Sequence, residues 1–522
     1  MRKTRRTERW GGRAGQALLL ATAVGVLAAC DGLLEADIDY LLTDDALQGA
    51  STASTQVASI QALFECGIST FGWIALGHED VFESIAGVAG GAHVYRADPP
   101  GGVCDQSGPD VSFFDQMMGA RALNSNAAGT GVYDKIASGE FVLGTEGSRL
   151  QAIGATYMTA SLLHFGQFYC EGALDGSMPM DPTDFLTDAL TWVDRIPGHV
   201  AAAGGDFALP NSAATSALST ATGLRAQILY AQGNLALAAA EAAAVPNGFT
   251  AWVTREAGEQ RRNKYTAAGG FSGMVGPVDW WVAANRVNPA TGVDYANPVP
   301  FTGYVFLGFG PLGETLDANN LPVRWAEENR DASDNPIPLA GFSAADSDTR
   351  VPHEIQPIQG PEPREVPTKY VTDDQDIPLV NWAEMRLIEA LQEAVSGTAS
   401  ASIDLINEVR TAAGVRNITG TYRTALEGGT YTSTMREVVF EEARRVLYAE
   451  AGRFWAWKIN NTDLAFFPRS QGSTPFQGYS YGGGVRLHFP NDEYELNPNF
   501  EPLGRLAARG TLCAADEAPF IA

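Results

Sequence analysis

The chain has 522 residues, of which 61 are acidic and 35 are basic, so its formal net charge is -26. With 45% apolar and 18% charged residues it is apolar enough to bury a sizeable core, which excludes a wholly disordered chain. The acidic excess argues against sequence-independent binding to nucleic acid, because Lys and Arg must neutralise phosphates. Residues 1–29 hold six basic side chains and one acidic one, so the remainder carries -31.

The N-terminal segment has the pattern of a lipoprotein export signal. Six basic residues precede an apolar run, residues 17–29, that is too short to span a bilayer. The run ends in Val26-Leu27-Ala28-Ala29-Cys30, which resembles a bacterial lipobox. We therefore predict a signal peptide at 1–29, lipidation of Cys30, and a lipid-anchored tether at 30–43. The alternative is an ordinary cleavage site beside a chance cysteine.

The remaining cysteines suit an exported chain, where disulfides form readily. They are Cys66, Cys104, Cys170 and Cys513, which allow three pairings. The Gly- and Pro-rich segment between the first two favours a Cys66–Cys104 bond, whereas buried thiols are the alternative.

Helical periodicity dominates the chain up to residue 246. It predicts helices at 44–64, 149–169 and 184–196, with an irregular Gly-rich stretch at 67–131 and a stop at Pro197-Gly198. An alanine-rich helical hairpin of tetratricopeptide type follows at 212–232 and 235–245. Its small residues Ala226 and Ala238 would let the two helices approach closely.

The periodicity returns near the C-terminus after a long interruption. Residues 247–375 are rich in Gly, Pro, Asn, Asp and aromatics, which indicates short strands, turns and small helices rather than one structureless loop. A second hairpin is predicted at 379–394 and 402–413, closed by Gly414 at its C-cap, and one long helix at 434–459. The fold class is therefore mainly α, with tetratricopeptide-like helical repeats and long irregular excursions.

Catalytic and cofactor motifs are weak in this sequence. The six histidines form no metal-ligand spacing, and Gly308-Phe309-Gly310-Pro311-Leu312-Gly313 lacks the strand and helix that a dinucleotide site needs. We therefore predict no cofactor, no metal and no catalytic residue. Flat aromatic rings in turn-rich stretches, with polar neighbours, are the candidates for stacking on sugars. These predicted ligand-binding residues are Trp73, Asp80, Trp280, Trp281, Asn285, Arg286, Tyr304 and Trp325.

The C-terminal third contains five groups of residues in a recognisable order. They are Asp346-Ser347-Asp348-Thr349-Arg350 with Lys369-Tyr370, the helix of Ala383-Glu384 and Glu389-Ala390, Asn407-Glu408-Val409-Arg410 with Ala413-Gly414, the run from Glu441 to Phe454, and a closing strand and turn with Phe489-Pro490, Glu493 and Asn497-Pro498-Asn499. In these motifs the chain resembles the SusD/RagB family of outer-membrane nutrient-binding lipoproteins. The resemblance covers nearly the whole mature chain and is strongest after Asp346. An Asp that usually follows the Arg-aromatic-aromatic group is replaced here by Ala456.

This resemblance implies one SusD-like domain at 44–522, with a helical part at 44–246, an excursion at 247–375 and a family C-terminal part at 346–522. It implies an extracellular-facing outer-membrane lipoprotein that binds a glycan or peptide and delivers it to a SusC-like TonB-dependent transporter. It also implies that Glu384, Glu441, Arg445, Glu450 and Arg453 are buried scaffold rather than a catalytic cluster. The alternatives are a lipid-anchored glycoside hydrolase and a structural envelope protein without a ligand.

Overall fold

Helices form most of the chain that the computed structural model describes. The described residues are 49–79, 82–84, 97–98, 111–257, 262–263, 265, 275–277, 287–288, 293–294, 350, 353–356, 364–415, 417–430, 434–464, 480–481 and 485–505. The chain divides into two units, Met1–Thr52 and Ala53–Ala522. In the first unit the described residues contain the short 3-10 helix Ala50–Thr52, and everything below concerns the second.

The helices of the second unit are labelled in chain order. They are α1 Ala53–His78, α2 Val111–Asn124, α3 Val132–Ala137, α4 Thr145–Phe168, α5 Pro182–Val193, α6 Ile196–Ala202, α7 Ala217–Ala231, α8 Leu235–Ala243, α9 Trp382–Ser396, α10 Ala399–Ala412, α11 Gly420–Glu427, α12 Met435–Val446, α13 Arg453–Asn460 and α14 Asn491–Leu496. Two 3-10 helices, Pro210–Ser212 and Pro498–Leu503, complete this set. Among the described residues, no helix combines the length and the apolar character needed to cross a membrane.

Helix α4 is the centre of the N-terminal helical layer. Every residue from Leu150 to Phe168 is buried, which is typical of a helix covered on all sides. Helices α1, α2, α5 and α7 pack around it. Its last turn joins an aromatic cluster in which the ring of Phe168 lies 4.8 Å from both Phe71 and Trp455. The predicted helix at 149–169 is thus confirmed as the core of this layer.

The first predicted helix extends beyond its predicted end, and a helix that was not predicted follows it. Helix α1 continues to His78, and α2 occupies Val111–Asn124, so the prediction of irregular structure throughout 67–131 is wrong. The glycines of this stretch indicated irregular structure, but Gly72 lies within α1. It allows close packing there, since a Cβ would lie 3.0 Å from the ring of Tyr265. Pro197-Gly198 likewise does not end the helical region but lies in the first turn of α6.

The two helical hairpins are present and lie side by side. Helix α7 packs on α8, α8 on α9, and α9 on α10, which gives the tetratricopeptide-like succession predicted from the sequence. Ala226 and Ala238 are fully buried, and Gly233 makes the first turn with a φ of +78°. Gly414 at the end of α10 has a φ of +70°, as the C-cap prediction requires.

Short strands tie the excursion to the second hairpin. Strand β3, Thr250–Val253, pairs antiparallel with β9, Ile377–Asn381, so that Thr250 lies opposite Asn381. The predicted helix start at 379 is therefore wrong, because residues 377–381 form this strand. Asn381 then caps α9 by accepting a hydrogen bond from the Ala383 N–H at 2.8 Å.

Eight further short strands are described, most of them in the excursion. They form antiparallel two-stranded pairs: β1 Phe82–Ser84 with β4 Val275–Pro277, β2 Ala97–Asp98 with β10 Ser480–Tyr481, β5 Val287–Asn288 with β6 Val293–Asp294, and β7 His353–Gln356 with β8 Arg364–Pro367. Short strands were predicted for residues 247–375, and the described residues of that stretch confirm them.

The long helix predicted at 434–459 is two helices. Helices α12 and α13 are separated by a turn in which Ala449 and Ala451 have positive φ values of 55° and 48°. Gly452 follows with a φ of +80°, and a Cβ there would lie 2.8 Å from Phe71 Cε1. Tertiary contacts therefore override a continuous helical periodicity: the Tyr370 hydroxyl donates to the Ala449 carbonyl at 3.1 Å within this turn.

The closing segment docks on the N-terminal layer. The Phe489 ring packs against Phe114 and Tyr169, and the Asn497 amide donates to the Ser177 carbonyl at 2.9 Å. The family-type strand is reduced to an isolated bridge between Leu487 and Tyr169, and the rest is helical. The predicted strand and turn are corrected accordingly.

The predicted Cys66–Cys104 bond is wrong. Cys66 is present as a thiol on α1, whereas Cys170, at the end of the central helix, takes part in a disulfide bond.

Candidate ligand-binding cleft

The family-like motifs converge on one buried carboxylate, Glu442 of α12. The Arg350 guanidinium lies 2.6 Å from it and that of Arg410 lies 3.1 Å from its other oxygen. Burial alone would raise the pKa of Glu442, but Arg350, Arg410 and Arg445 lower it to about 2. The ion pairs of Glu442 thus connect three motifs that are far apart in sequence.

A second buried carboxylate, Glu450, holds Lys369. The Lys369 ammonium lies 2.7 Å from a Glu450 oxygen and 2.7 Å from the Tyr448 carbonyl oxygen. The Asn381 side-chain amide donates to the other Glu450 oxygen at 3.3 Å. The turn between α12 and α13 therefore fixes both the lysine and the cap of α9.

The charged residues that could be mistaken for a catalytic cluster form structural ion pairs. Glu441 accepts hydrogen bonds from Arg444 and Arg445 at 2.8 and 2.9 Å, and Glu384 pairs with Arg453 at 2.6 Å. All of these side chains are buried. The burial and ion pairing of these side chains support the prediction that they are scaffold.

The Arg350–Glu442 and Lys369–Glu450 ion pairs border a cleft of about 470 Å³. That volume lies within the range of small-molecule sites in proteins. The cleft is formed where the start of α9, the end of α10 and the start of β3 meet. Its lining residues are Gly248, Thr250, Arg350, Lys369, Asn381, Trp382, Ala383, Val409, Ala412, Ala413 and Val446.

Several hydrogen-bonding groups of the cleft are not used within the described part of the chain. The Trp382 indole N–H is buried without a partner there. The Thr250 hydroxyl makes no hydrogen bond to another described residue, and Lys369 uses two of its three N–H groups. The cleft thus combines polar donors with the small apolar side chains of α10.

One of the ligand-binding residues predicted from the sequence, Trp73, lies in the part of the chain that the structure describes. Trp73 lies in helix α1, so the expectation that it projects from a turn-rich loop is wrong. The other seven, from Asp80 to Trp325, lie outside the described residues and stay predictions. The prediction that the chain has no metal site also stays a prediction. In the described residues, no group of three or more potential ligands is placed to hold an ion.

The cleft residues were absent from the sequence-based candidates although some belonged to recognised motifs. The sequence places Arg350 and Lys369 in family-like motifs but gives them no role in binding. It places Asn381 and Trp382 within a predicted helix. The pairing of β3 with β9 brings Thr250 beside them, and periodicity carries no information on such a pairing. A polar residue next to a helix start was the one local signal available at Asn381.

No protein-family model and no curated protein matches the sequence of this chain. Solved structures match its fold. A SusD superfamily protein from Bacteroides vulgatus has a TM-score of 0.53 at 10% identity, covering 86% of this chain and 98% of that one. A SusD-like carbohydrate binding protein from the same organism has a TM-score of 0.53 at 11% identity, covering 90% and 98%. A SusD-like protein from Bacteroides fragilis has a TM-score of 0.51 at 11% identity, covering 87% and 96%.

The chain has the SusD-like fold. The resemblance drawn from the sequence motifs is confirmed at the level of fold, and the mainly helical class is confirmed with it. The SusD-like fold of this chain explains why its motifs are scattered: Arg350, Arg410 and Glu442 are distant in sequence and meet only in the folded chain. At identities of 10 and 11%, the likeness concerns architecture.

Proposed function

We propose that this chain is a cell-surface lipoprotein that binds an oligomeric nutrient, a glycan, and delivers it to a SusC-like TonB-dependent transporter in the outer membrane. The SusD-like fold over most of the chain is the observation that carries the proposal. It is supported by the name of one structural neighbour, a SusD-like carbohydrate binding protein, and by the lipobox that ends at Cys30.

The proposed mechanism is binding without chemistry. The chain would sit over the transporter as a lid, and the ligand would shift the population between open and closed positions. The cleft offers donors for hydroxyl or carboxylate oxygens, while the carboxylates around it are engaged in ion pairs. This arrangement supports a binding protein over the alternative of a glycoside hydrolase, which needs two accessible carboxyl groups.

The test is co-purification followed by glycan binding. The mature chain is extracted from native outer membranes in mild detergent, and we expect a TonB-dependent barrel to accompany it. The same preparation should bind oligosaccharides in calorimetry and leave them intact. Release of shorter products from labelled oligosaccharides would favour a hydrolase, whereas recovery without a barrel and without glycan binding would favour a structural envelope protein.

Membrane attachment is tested at the lipobox. Cys30→Ser removes the acylated sulfur, so labelled fatty acid should no longer be incorporated and the chain should leave the membrane fraction. Cys66→Ser is the matched control, because Cys66 is a thiol on α1, outside the lipobox. Retention of label in Cys30→Ser would contradict the proposed anchor.

The aromatic platform is tested separately on a glycan array. Trp280→Ala should reduce the signal of the bound glycans if its ring stacks on a sugar. Trp73→Ala is compared with it, because Trp73 lies on a helix instead of the expected loop. If neither variant differs from the native chain, the stacking hypothesis fails.

A further inference from the structure

The charged residues that line the cleft, among those the structure describes, are opposite in sign to the net charge of the chain. The chain has 61 acidic and 35 basic residues, so an average surface is acidic. The described residues that line the cleft include two cations, Arg350 and Lys369, and no Asp or Glu. A cleft with this lining favours a negatively charged group over a neutral one of the same shape.

The carboxylates that pair with these cations are withdrawn from the cleft. The side chains of Glu442 and Glu450 are 3% and 4% exposed, and neither belongs to the lining. They hold Arg350 and Lys369 in place from the buried side. The lysine side chain is 21% exposed, which leaves part of it accessible to a ligand.

Unused donors stand near the cations. Lys369 donates to Glu450 and to the Tyr448 carbonyl, which leaves one of its three N–H groups. The Trp382 indole N–H has no partner in the described part of the chain, although the side chain is 95% buried. A buried donor without an acceptor is costly, so a ligand oxygen that satisfies it stabilises the complex.

The remaining lining suits the C–H face of a sugar ring. Val409, Ala412 and Ala413 from α10, with Ala383 and Val446, present small apolar groups. A ligand that fits must therefore carry an anionic oxygen pair, hydroxyls for Thr250 and Asn381, and a compact apolar face. A sugar acid combines all three.

We propose that this cleft binds the carboxylate of a uronic-acid residue within an acidic glycan, with Lys369 and Arg350 facing the charge. The inference rests on the proposed function and narrows its ligand to acidic polysaccharides. Trp382 and Thr250 supply the accompanying hydrogen bonds, and α10 supplies the apolar side.

The test compares each acidic glycan with its own neutral counterpart. The detergent-solubilised mature chain is titrated calorimetrically with oligogalacturonate, oligoalginate and glucuronoxylan fragments, and with the same fragments after carboxyl reduction. We expect at least one acidic probe to bind about tenfold or more tightly than its reduced form, as a charged hydrogen bond provides. Because the pair is partly exposed, raising the salt concentration should narrow the difference.

Three variants assign that preference to the cleft. Lys369→Met is combined with Glu450→Gln so that no carboxylate is left buried without its cation. The preference for the acidic probe should fall to about threefold or less in this double variant and persist in Lys369→Arg. Trp382→Phe keeps an aromatic ring and removes the indole N–H, so it should weaken binding of the acidic probe severalfold. Arg436→Met, which removes an exposed cation outside the cleft, is the control and should bind as the native chain does.

The outcomes separate this inference from the proposed function. If neutral glycans bind as tightly as all three acidic probes, or if the preference survives in the double variant, the uronate site is wrong while glycan binding stands. If an acidic peptide such as oligoglutamate binds more tightly than every glycan, the cleft serves a peptide and the inference is overturned. If no glycan binds and no barrel co-purifies, the proposed function itself fails.

Discussion

Arg453 at the start of α13 and Glu384 in the first turn of α9 form a buried ion pair, with Arg453 Nη2 2.6 Å from Glu384 Oε1. The same carboxylate accepts hydrogen bonds from the Trp457 indole at 3.0 Å and the Gln227 amide at 2.9 Å. Glu384 therefore joins α7, α9 and α13. Since the pair lies beside the cap of α9, it also positions one side of the cleft.

Removing one member of this pair should destabilise the fold. Arg453→Met leaves Glu384 buried without its counter-ion, so we expect the free energy of unfolding to fall by about 3–5 kcal/mol. Urea denaturation followed by circular dichroism measures it. Arg436→Met is the control, because its pair with Asp463 is exposed and should contribute about 0–1 kcal/mol. Equal losses in the two variants would contradict the structural role assigned to Glu384.

The sequence predicts the helices of this fold better than the turns between them. Periodicity locates α4, α7, α8 and α10, because their apolar faces are set locally. It fails at the turn between α12 and α13, where contacts to Tyr370 and Phe71 impose positive φ values on a helical pattern. Local propensity cannot report such long-range constraints.

The cleft was less predictable than the fold for the same reason. Glu442 lies 92 residues from Arg350, and Thr250 is placed beside Asn381 only by strand pairing. The sequence predicts aromatic residues in turn-rich stretches as ligand-binding residues, because sugars stack on such rings. The groups that line the cleft are instead a lysine, an arginine and an indole near a helix start, whose common location depends on tertiary structure.

Glu442 should control stability on the acid side. Its folded pKa of about 2 lies below the ordinary value of 4.5, so its contribution is complete above pH 4.5 and is lost as the pH falls toward 2. Glu442→Gln should therefore be less stable than the native chain by about 3 kcal/mol at pH 6, with the difference closing by pH 2. The unfolding free energy is measured across this range.

The acid-side comparison has an internal reference and a control. His164, whose pKa burial and the nearby Arg453 lower to about 3, titrates in both proteins and cancels in the difference. Glu427→Gln changes an exposed carboxylate paired with Arg423, so it should change the free energy of unfolding by only about 0–1 kcal/mol. A Glu442→Gln gap that stays constant from pH 6 to pH 2 would disprove the assigned ionisation.

Glu79 should act in the opposite direction, at alkaline pH. Burial raises its pKa to about 8, although Lys458 and Lys369 oppose the shift. Because the folded pKa is above the ordinary value of 4.5, its contribution is complete below pH 4.5 and is lost as the pH rises toward 8.

Glu79→Gln removes this ionisation. Relative to the native chain, the variant should gain about 1.4 kcal/mol of unfolding free energy per pH unit between pH 4.5 and pH 8. Denaturant midpoints at pH 5, 6.5 and 8 measure the gain. Glu427→Gln serves again as the control, since its exposed ion pair should contribute only about 0–1 kcal/mol. A native chain as stable as Glu79→Gln at pH 8 would show that Glu79 is not buried in its acid form.

The close approach of α7 to β9 depends on Gly223. A Cβ at this position would lie 2.2 Å from Val380 Cγ1, which is too close for any real contact. Gly223→Ala should lower the free energy of unfolding by about 1–3 kcal/mol because overpacking outweighs the better helix propensity of alanine. Gly119→Ala on α2 is the matched control: its Cβ would meet Leu63 Cδ1 at 3.6 Å, an ordinary contact, so it should gain up to about 1 kcal/mol. The double variant with Val380→Ala removes the obstructing methyl groups and should be more stable than the sum of the two single changes predicts. Thermal denaturation is measured for the three single variants, Gly223→Ala, Gly119→Ala and Val380→Ala, and for the double variant. If Gly223→Ala is as stable as Gly119→Ala, Gly223 is not needed for the packing of α7 on β9.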